Sequence, residues 1–218
     1  MADSQAASAL AHQFEDLEQQ QEAASLGMWI FLATEVMFFG GLFAGYTIYR
    51  NLYLPGFEAG SHHLNVTIGA INTAVLICSS LTMALAVRAA KMGKRKTLMT
   101  FLISTMLLGL VFIFIKLLLE WRHDYLEGFA PGLNFTFAGA NAKSLEMFFC
   151  FYFIMTGVHA LHMVVGEGIL SVLLVLAWKG CFGPQRHNAI ETMGLYWHFV
   201  DIVWIFLFPL LYLIGGRY

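Results

Sequence analysis

The fold is decided by a stretch of 24 residues, LGMWIFLATEVMFFGGLFAGYTIY at positions 26–49, in which Glu35 is the single charged side chain. About 20 consecutive apolar residues are enough to cross the hydrocarbon core of a bilayer as an α-helix. Comparable apolar runs follow at four further places in the chain. The pattern predicts an all-α, polytopic membrane protein, a bundle of five transmembrane helices. The predicted spans cover about residues 26–49, 66–89, 97–119, 147–178 and 190–213.

The composition excludes two broad classes of protein. Of the 218 residues, 59% are hydrophobic and 12% are charged, about half the charged fraction of roughly 25% in soluble proteins. A soluble fold is therefore excluded. The net charge of −2 provides no basic field for nucleic acid. Cys78, Cys150 and Cys181 lie far apart, so they indicate neither a disulfide framework nor a cysteine metal site.

Most charges lie in the tail and in the connections between the spans. Residues 1–25 form an acidic polar tail without Lys or Arg, and residues 26–218 form the membrane domain. The tail is not a signal peptide, because it lacks a basic start followed by an apolar stretch. It is either a solvated or frayed helical tail, or a segment docked on a basic surface. Its acids are Asp3, Glu15, Asp16, Glu18 and Glu22.

Basic residues predict the orientation of the chain, because Lys and Arg favour the cytoplasmic side of a membrane. The second and fourth connections share one side and carry seven basic residues: Arg88, Lys91, Lys94, Arg95, Lys96, Lys179 and Arg186. The other side carries four: Arg50, Arg122, Lys143 and Arg217. The N-terminus is therefore predicted to be cytoplasmic and the C-terminus, at Tyr218, periplasmic.

Glu35 is a candidate functional residue, because ionisable groups inside a span usually face protein or water. It is either a proton-exchanging acid or subunit contact, or a carboxyl hydrogen-bonded between helices. Gly41 and Gly45 of the same span form a GxxxG pair, which allows another helix to approach closely. This pair lies about a quarter turn from Glu35, so we expect the two features to face different neighbours.

The fourth span contains His159 and His162, three residues apart and hence on one helical face. Two histidines at this spacing could ligate a metal. Interhelical hydrogen bonding is favoured, because no third ligand lies nearby in the sequence. Glu167 points away from His162 and needs another partner, for which Lys116 is a candidate.

The fifth span predicts one helical side that is aromatic and polar, formed by Trp197, Asp201 and Trp204. His198 lies three residues before Asp201, and the two are expected to hold each other in place. No Ser or Cys stands in a nucleophile-like context, so a structural role is favoured over acyl chemistry.

Four ordered motifs resemble subunit III of the haem-copper terminal oxidases, the cytochrome c oxidase family. They are GMWIFLATEVMFFGG (27–41), INTAVLICSS (71–80), TGVHALHMVVG (156–166) and ETMGLYWHFVDIVW (191–204). Glu120 also looks like an acid of this family. Longer members have two further helices before the glutamate helix, so the resemblance is to the short, five-helix bacterial form.

The resemblance implies a multi-pass subunit of the bacterial cytoplasmic membrane that carries no haem, copper or other metal of its own. Haems and copper are expected in partner subunits, with subunit I as the main contact, then subunit II and further respiratory subunits. The role implied is to support proton uptake, activity during turnover and phospholipid binding in a complex that reduces O2 and pumps protons. Glu35 is the proton-related candidate. Structural polar or lipid-contact candidates are Asn72, Glu120, His159, His162, Glu191, Trp197, His198, Asp201 and Trp204.

Other functions stay open at the level of sequence. The chain could be the equivalent subunit of a quinol oxidase or an accessory subunit of a nitric oxide reductase. It could also be an independent proton or metal transporter that uses Glu35, Glu167 and the two histidines, although paired broken helices are absent from its sequence. The chain could also be a purely structural membrane anchor. This alternative differs from the oxidase-subunit role mainly because Glu35 would then have no influence on protons.

Overall fold

The computed structural model describes residues 14, 16–132, 134–136, 141–183 and 187–213. The regular elements of this part of the chain are helical. They are α1 (Leu17–Leu52), α2 (Leu54–His63), α3 (Val66–Lys91), α4 (Arg95–Phe114), a π-helical segment (Ile115–Trp121), α5 (Arg122–Leu126), α6 (Ala142–Lys179) and α7 (Asn188–Tyr212).

Within the described residues, five helical stretches are long and apolar enough to cross a membrane, as predicted. They are the first, third, sixth and seventh α-helices and the continuous stretch Arg95–Leu126. Several helices run beyond the predicted apolar spans, because the local capping chemistry sets their ends. Helix α1 begins nine residues before position 26, where the Asp16 side chain accepts a hydrogen bond of 2.7 Å from Gln19 N.

Helix α2 is not foreseen by the sequence, since it lies in a connection and is too short to cross a membrane. Pro55 stands in its first turn, where the missing N–H costs no hydrogen bond. Gly56 and Gly60 let α2 lie directly on α6: a Cβ atom at Gly56 would lie 2.2 Å from Ser144 Cβ, and one at Gly60 would lie 2.2 Å from the Phe148 ring. This contact closes one end of the bundle.

The core is formed by α3, α4, α6 and α7, whereas α1 lies at the edge. In the most apolar stretch of α7, 50% of the residues are buried, against 11% in α1. Trp197 and Trp204 of α7 are fully buried in this core. Helix α1 therefore packs on one side against α6 and α7, and most of its surface is exposed.

The second and fourth connections lie at the same end of the bundle, as the sequence predicts. Arg95 at the start of α4 donates from Nε to Ala177 O over 2.9 Å, and its guanidinium also donates to Trp178 O. These carbonyls end α6, where a cation is favourable. Lys91 of α3 pairs with Glu191 of α7 at this end. The tail acids Asp3 and Glu15, together with Arg186, Arg217 and Tyr218, lie outside the described residues.

Candidate functional site

Glu35 and His162 form an acid–base pair between α1 and α6. The distance from His162 Nε2 to Glu35 Oε2 is 3.0 Å, and the two side chains are 16% and 19% exposed, respectively. The other ring nitrogen, Nδ1, lies 2.8 Å from Val158 O, one turn back on α6. A carbonyl can only accept, so Nδ1 carries a hydrogen. The contact to Glu35 then holds one further proton, either on the carboxyl or on the imidazole.

Aromatic side chains fix the histidine of this pair. The Phe39 ring lies 5.3 Å from the His162 ring, centre to centre. Tyr196 of α7 donates its hydroxyl to His162 O over 2.9 Å, and its ring lies 6.1 Å from that of Phe31. Residues of three helices therefore hold the His162 residue in place beside Glu35.

The pair lines a groove of about 730 Å³ between α1, α6 and α7, called here the α1 groove. Its lining is mainly apolar and includes Met28, Phe31, Glu35, His162, Val165 and Tyr196. The groove lies where α1, at the edge of the bundle, packs less extensively against α6 and α7. Such a cleft, apolar with a few convergent polar groups, is the ordinary form of a site for an apolar ligand.

The GxxxG pair of α1 does not act as a continuous seam within this chain. A Cβ at Gly41 would meet no atom within 4 Å, whereas one at Gly45 would lie 3.5 Å from the Phe151 ring. Phe151 belongs to α6, the helix that also supplies His162. The expectation that the acid and the glycine contact face different neighbours is therefore wrong, because one long helix passes both positions.

His159 does not share the surroundings of His162. It is fully buried, with its ring 5.4 Å from Phe112 and 5.0 Å from Trp204, and neither ring nitrogen has a hydrogen-bond partner among the described residues. A spacing of three residues turns the two side chains by about 60°, enough to point them at different helices. No group of three potential metal ligands occurs in the described part of the chain.

Polar contacts join α3 to α7. The Trp197 and Trp204 indoles donate to Ser79 Oγ and Thr73 Oγ1, each over 3.0 Å. Ser80 Oγ lies 2.7 Å from His198 Nδ1. The expected pair of His198 with Asp201 does not form, because the imidazole is engaged by α3. Asn72 donates from Nδ2 to Phe112 O of α4 over 3.4 Å.

The π-helical segment contains a buried cation, Lys116, which the sequence offered as a candidate partner for Glu167. Lys116 Nζ contacts the Glu120 carboxylate and donates to Tyr212 Oη and Tyr152 Oη over 2.7 and 3.1 Å. Tyr212 also donates to Glu120 Oε2 over 2.6 Å. Lys116, the candidate partner for Glu167, is therefore engaged elsewhere. The i, i+4 spacing of Lys116 and Glu120 is the signal that could have revealed the true pair.

Glu167 is buried against Gly109 of α4. A Cβ at Gly109 would lie 2.0 Å from Glu167 Oε1, so any larger residue there would force the carboxyl to move. Neither carboxyl oxygen has a hydrogen-bond partner among the described residues.

Five apolar spans, acid–base pairs at helix interfaces and a lateral groove define a polytopic helical membrane protein. The chain belongs to the cytochrome c oxidase subunit III family, whose sequence profile matches residues 11–216.

Relatives include both kinds of respiratory oxidase. The chain is 34% identical to cytochrome c oxidase subunit 3 of Corynebacterium diphtheriae, over 87% of each chain. It is 32% identical to quinol oxidase subunit 3 of Bacillus subtilis, over 91% of this chain and 92% of the relative. It is 31% identical to cytochrome c oxidase subunit 3 of Loxodonta africana, over 90% of this chain and 71% of that longer protein. As a member of this family, the chain associates with other subunits of an oxidase complex.

Proposed function

We propose that this chain is the cofactor-free subunit III of a bacterial cytochrome c oxidase, with no active site of its own. In this proposal it supports proton uptake by the catalytic subunit and preserves activity during turnover. Haems and copper belong to the partner subunits, with subunit I as the main contact, subunit II and further respiratory subunits. The whole complex reduces O2 to water and pumps protons.

The Glu35–His162 pair carries the proposal. Its single shared proton can sit on the carboxyl as a neutral pair or on the imidazole as an ion pair, over a distance of 3.0 Å. The two states have different dipoles, so a change between them alters the field and hydration at a neighbouring surface without electron transfer. The pair therefore acts on a proton entrance beside it.

The α1 groove supports the second part of the role, the holding of phospholipid. Its volume of about 730 Å³ and apolar lining suit an acyl chain. An acyl chain there would cover the loosely packed side of α1 and restrict movement of Glu35. Lipid loss and the loss of Glu35 are therefore expected to shorten the working life of the complex in the same way.

The location and orientation follow from charge. The basic connections that contain Lys94, Arg95 and Lys179 lie at one end of the bundle, joined by the contacts of Arg95 with α6. Basic connections favour the cytoplasmic side. The proposal therefore places the chain in the bacterial cytoplasmic membrane with that end, and the N-terminus, in the cytoplasm.

The test is Glu35→Ala in the whole complex, with Val36→Ala at the adjacent exposed position as the matched control. We expect the haem spectrum to stay unchanged, while proton uptake slows or activity decays faster during turnover in vesicles. Loss of haem from an otherwise assembled complex would contradict the proposal. So would proton uptake and durability equal to those of Val36→Ala.

A quinol oxidase subunit III is the second candidate, because relatives of nearly equal length carry that name. Purification of the native complex in detergent, followed by identification of its subunits and its electron donor, distinguishes the two candidates. Oxidation of reduced cytochrome c, with a copper-site subunit present, favours the first candidate, and oxidation of quinol without it favours the second. If the complex reduces nitric oxide, the chain is instead an accessory subunit of a nitric oxide reductase. If the chain alone transports protons or metal ions in liposomes, it is a transporter.

A further inference from the structure

Two grooves meet along the side of α7 that faces α3, and each has a volume of about 370 Å³. The lining of the first, called here the mid-span groove, includes Ser80, His198 and Asp201. The lining of the second, called here the end groove, includes Ser25, Asn188, Glu191, Thr192 and His198. Because His198 lines both grooves, its imidazole ring lies where they meet.

A series of hydrogen-bonding groups leads from His198 to Asp201. Ser80 Oγ lies 2.7 Å from His198 Nδ1, and it is also within hydrogen-bonding reach of the Asp201 carboxyl. His198 and Asp201 are three positions apart on α7, so both can approach the same hydroxyl of α3. The Ser80 hydroxyl therefore bridges the two titratable side chains.

The end groove is suited to hold water beside His198. Its volume is about ten times the share of liquid volume that one water occupies, and its polar lining offers the partners that a buried water needs. The charged groups at its entrance are Glu191 with its two ion-pair partners, Lys91 and His187. At 1.5 Å per residue, His198 lies about 10 Å deeper along α7 than Glu191. Water can therefore connect the basic end of the bundle to the His198 ring.

Asp201 lies at the inner end of the series. It is 3% exposed, and neither carboxyl oxygen is open to solvent. Among the described residues, Asp201 has no ion-pair partner. An unpaired charge inside a membrane is costly, so the carboxyl is more stable with a proton bound. Because its oxygens are closed to the surface, that proton is exchanged through Ser80.

We propose that Asp201 is a buried proton-binding site, loaded from the basic end of the bundle through His198 and Ser80. In the loading step, His198 Nε2 takes a proton from a hydronium ion in the end groove and Nδ1 gives its proton to Ser80 Oγ. The Ser80 hydroxyl gives its own proton to the Asp201 carboxylate. One proton leaves the water and one arrives at Asp201, while Ser80 stays a hydroxyl. Unloading reverses each transfer and restores the first tautomer of His198.

This site is distinct from the Glu35–His162 pair. Tyr196, which contacts His162, and His198 are two positions apart and therefore about 200° apart around α7. Their side chains face opposite sides of the helix. The inference thus goes beyond the proposed function and does not rest on it, because it concerns proton exchange within this chain.

The experiment is infrared spectroscopy of the purified native complex after transfer from H2O to D2O. A protonated carboxylic acid has a C=O stretching band that shifts when deuterium replaces its proton. We expect a band that shifts in D2O and is lost in Asp201→Asn, with the haem spectrum unchanged as the check on assembly. Asp201 would not be the proposed site if Asp201→Asn removed no such band, or if the band did not shift.

The route is tested by the rate of the shift. We expect Ser80→Ala and His198→Phe to keep the band but to slow its shift by about 100-fold, the lower end of what a positioned proton-transferring group contributes. Ser80→Thr keeps a hydroxyl and is expected to restore the rate. Ser79→Ala is the matched control, since the neighbouring Ser79 hydroxyl accepts from Trp197 and stands outside the series. Equal rates for Ser80→Ala and Ser79→Ala would overturn the proposed route.

Glu167 provides a comparison within the same complex. Its carboxyl oxygens are also closed to solvent, and neither has a hydrogen-bond partner among the described residues. We expect the band that is lost in Glu167→Gln to shift more slowly in D2O than the Asp201 band. A Glu167 band that shifts as fast as the Asp201 band would contradict the relay, because exchange would then need no bridging hydroxyl.

Discussion

Two acid–base pairs that contact α6 lie in opposite surroundings. At the closed end, where α2 and the π-helical segment pack on α6, the Lys116 and Glu120 side chains are 1% and 5% exposed and are bonded to two tyrosines. At the α1 groove, Glu35 and His162 have one contact to each other and are partly exposed. A pair that is fully enclosed serves the fold, whereas a pair beside a groove remains available to protons, lipid and partners.

The largest expected effect is that of Lys116→Met at the closed end. The change leaves the Glu120 carboxylate buried without its cation, which typically costs about 3–5 kcal/mol. Equilibrium unfolding of the complex in a denaturing detergent, followed by fluorescence of the chain's tryptophans, measures the loss. The double variant Lys116→Met/Glu120→Gln is expected to recover much of it. A cost below about 1 kcal/mol for the single variant would mean that this pair resembles an exposed one.

An intermediate effect is expected for Gly56→Ala, which tests how tightly the closed end is packed. The new Cβ would lie 2.2 Å from Ser144 Cβ and 2.8 Å from the Ser144 backbone, so α2 must move away from α6. Overpacking of this kind costs about 1–3 kcal/mol. Gly40→Ala on α1 is the matched control, because a Cβ there meets no atom within 4 Å. If both substitutions lower the free energy of unfolding in detergent by the same amount, the contrast between the closed end and the α1 groove is contradicted.

The smallest effect is expected for Glu35→Gln at the α1 groove. The amide still offers a hydrogen-bonding group to His162 Nε2, and a partly exposed pair contributes only about 0–1 kcal/mol. We therefore expect the unfolding free energy to fall by less than about 1 kcal/mol, while proton uptake changes as for Glu35→Ala. A loss of stability as large as that of Lys116→Met would mean that Glu35 mainly stabilises the fold.

Much of the architecture could be predicted because it depends on local properties of the chain. Apolar length marks the five spans, and the four motifs indicate the family, without knowledge of any contact. The α2 helix and the π-helical segment could not be predicted, since they depend on packing at Gly56 and Gly60 and around Lys116. The hydrogen-bond partners of the polar residues could not be predicted from the sequence either. His198 had Asp201 within one turn but bonds to Ser80, which is 118 positions away in the sequence.

The sequence by itself determined that this protein crosses the membrane five times as helices and belongs to an oxidase subunit family. Hydrophobic length and ordered motifs suffice for both, because each is a property of consecutive residues. Only the tertiary structure decided which ionisable groups are paired. Lys116 meets Glu120 and two tyrosines, and Glu35 meets His162 beside a groove. The physical reason is that side chains three positions apart on a helix differ in direction by about 60°, and consecutive ones by about 100°, so that each can point toward a different partner helix.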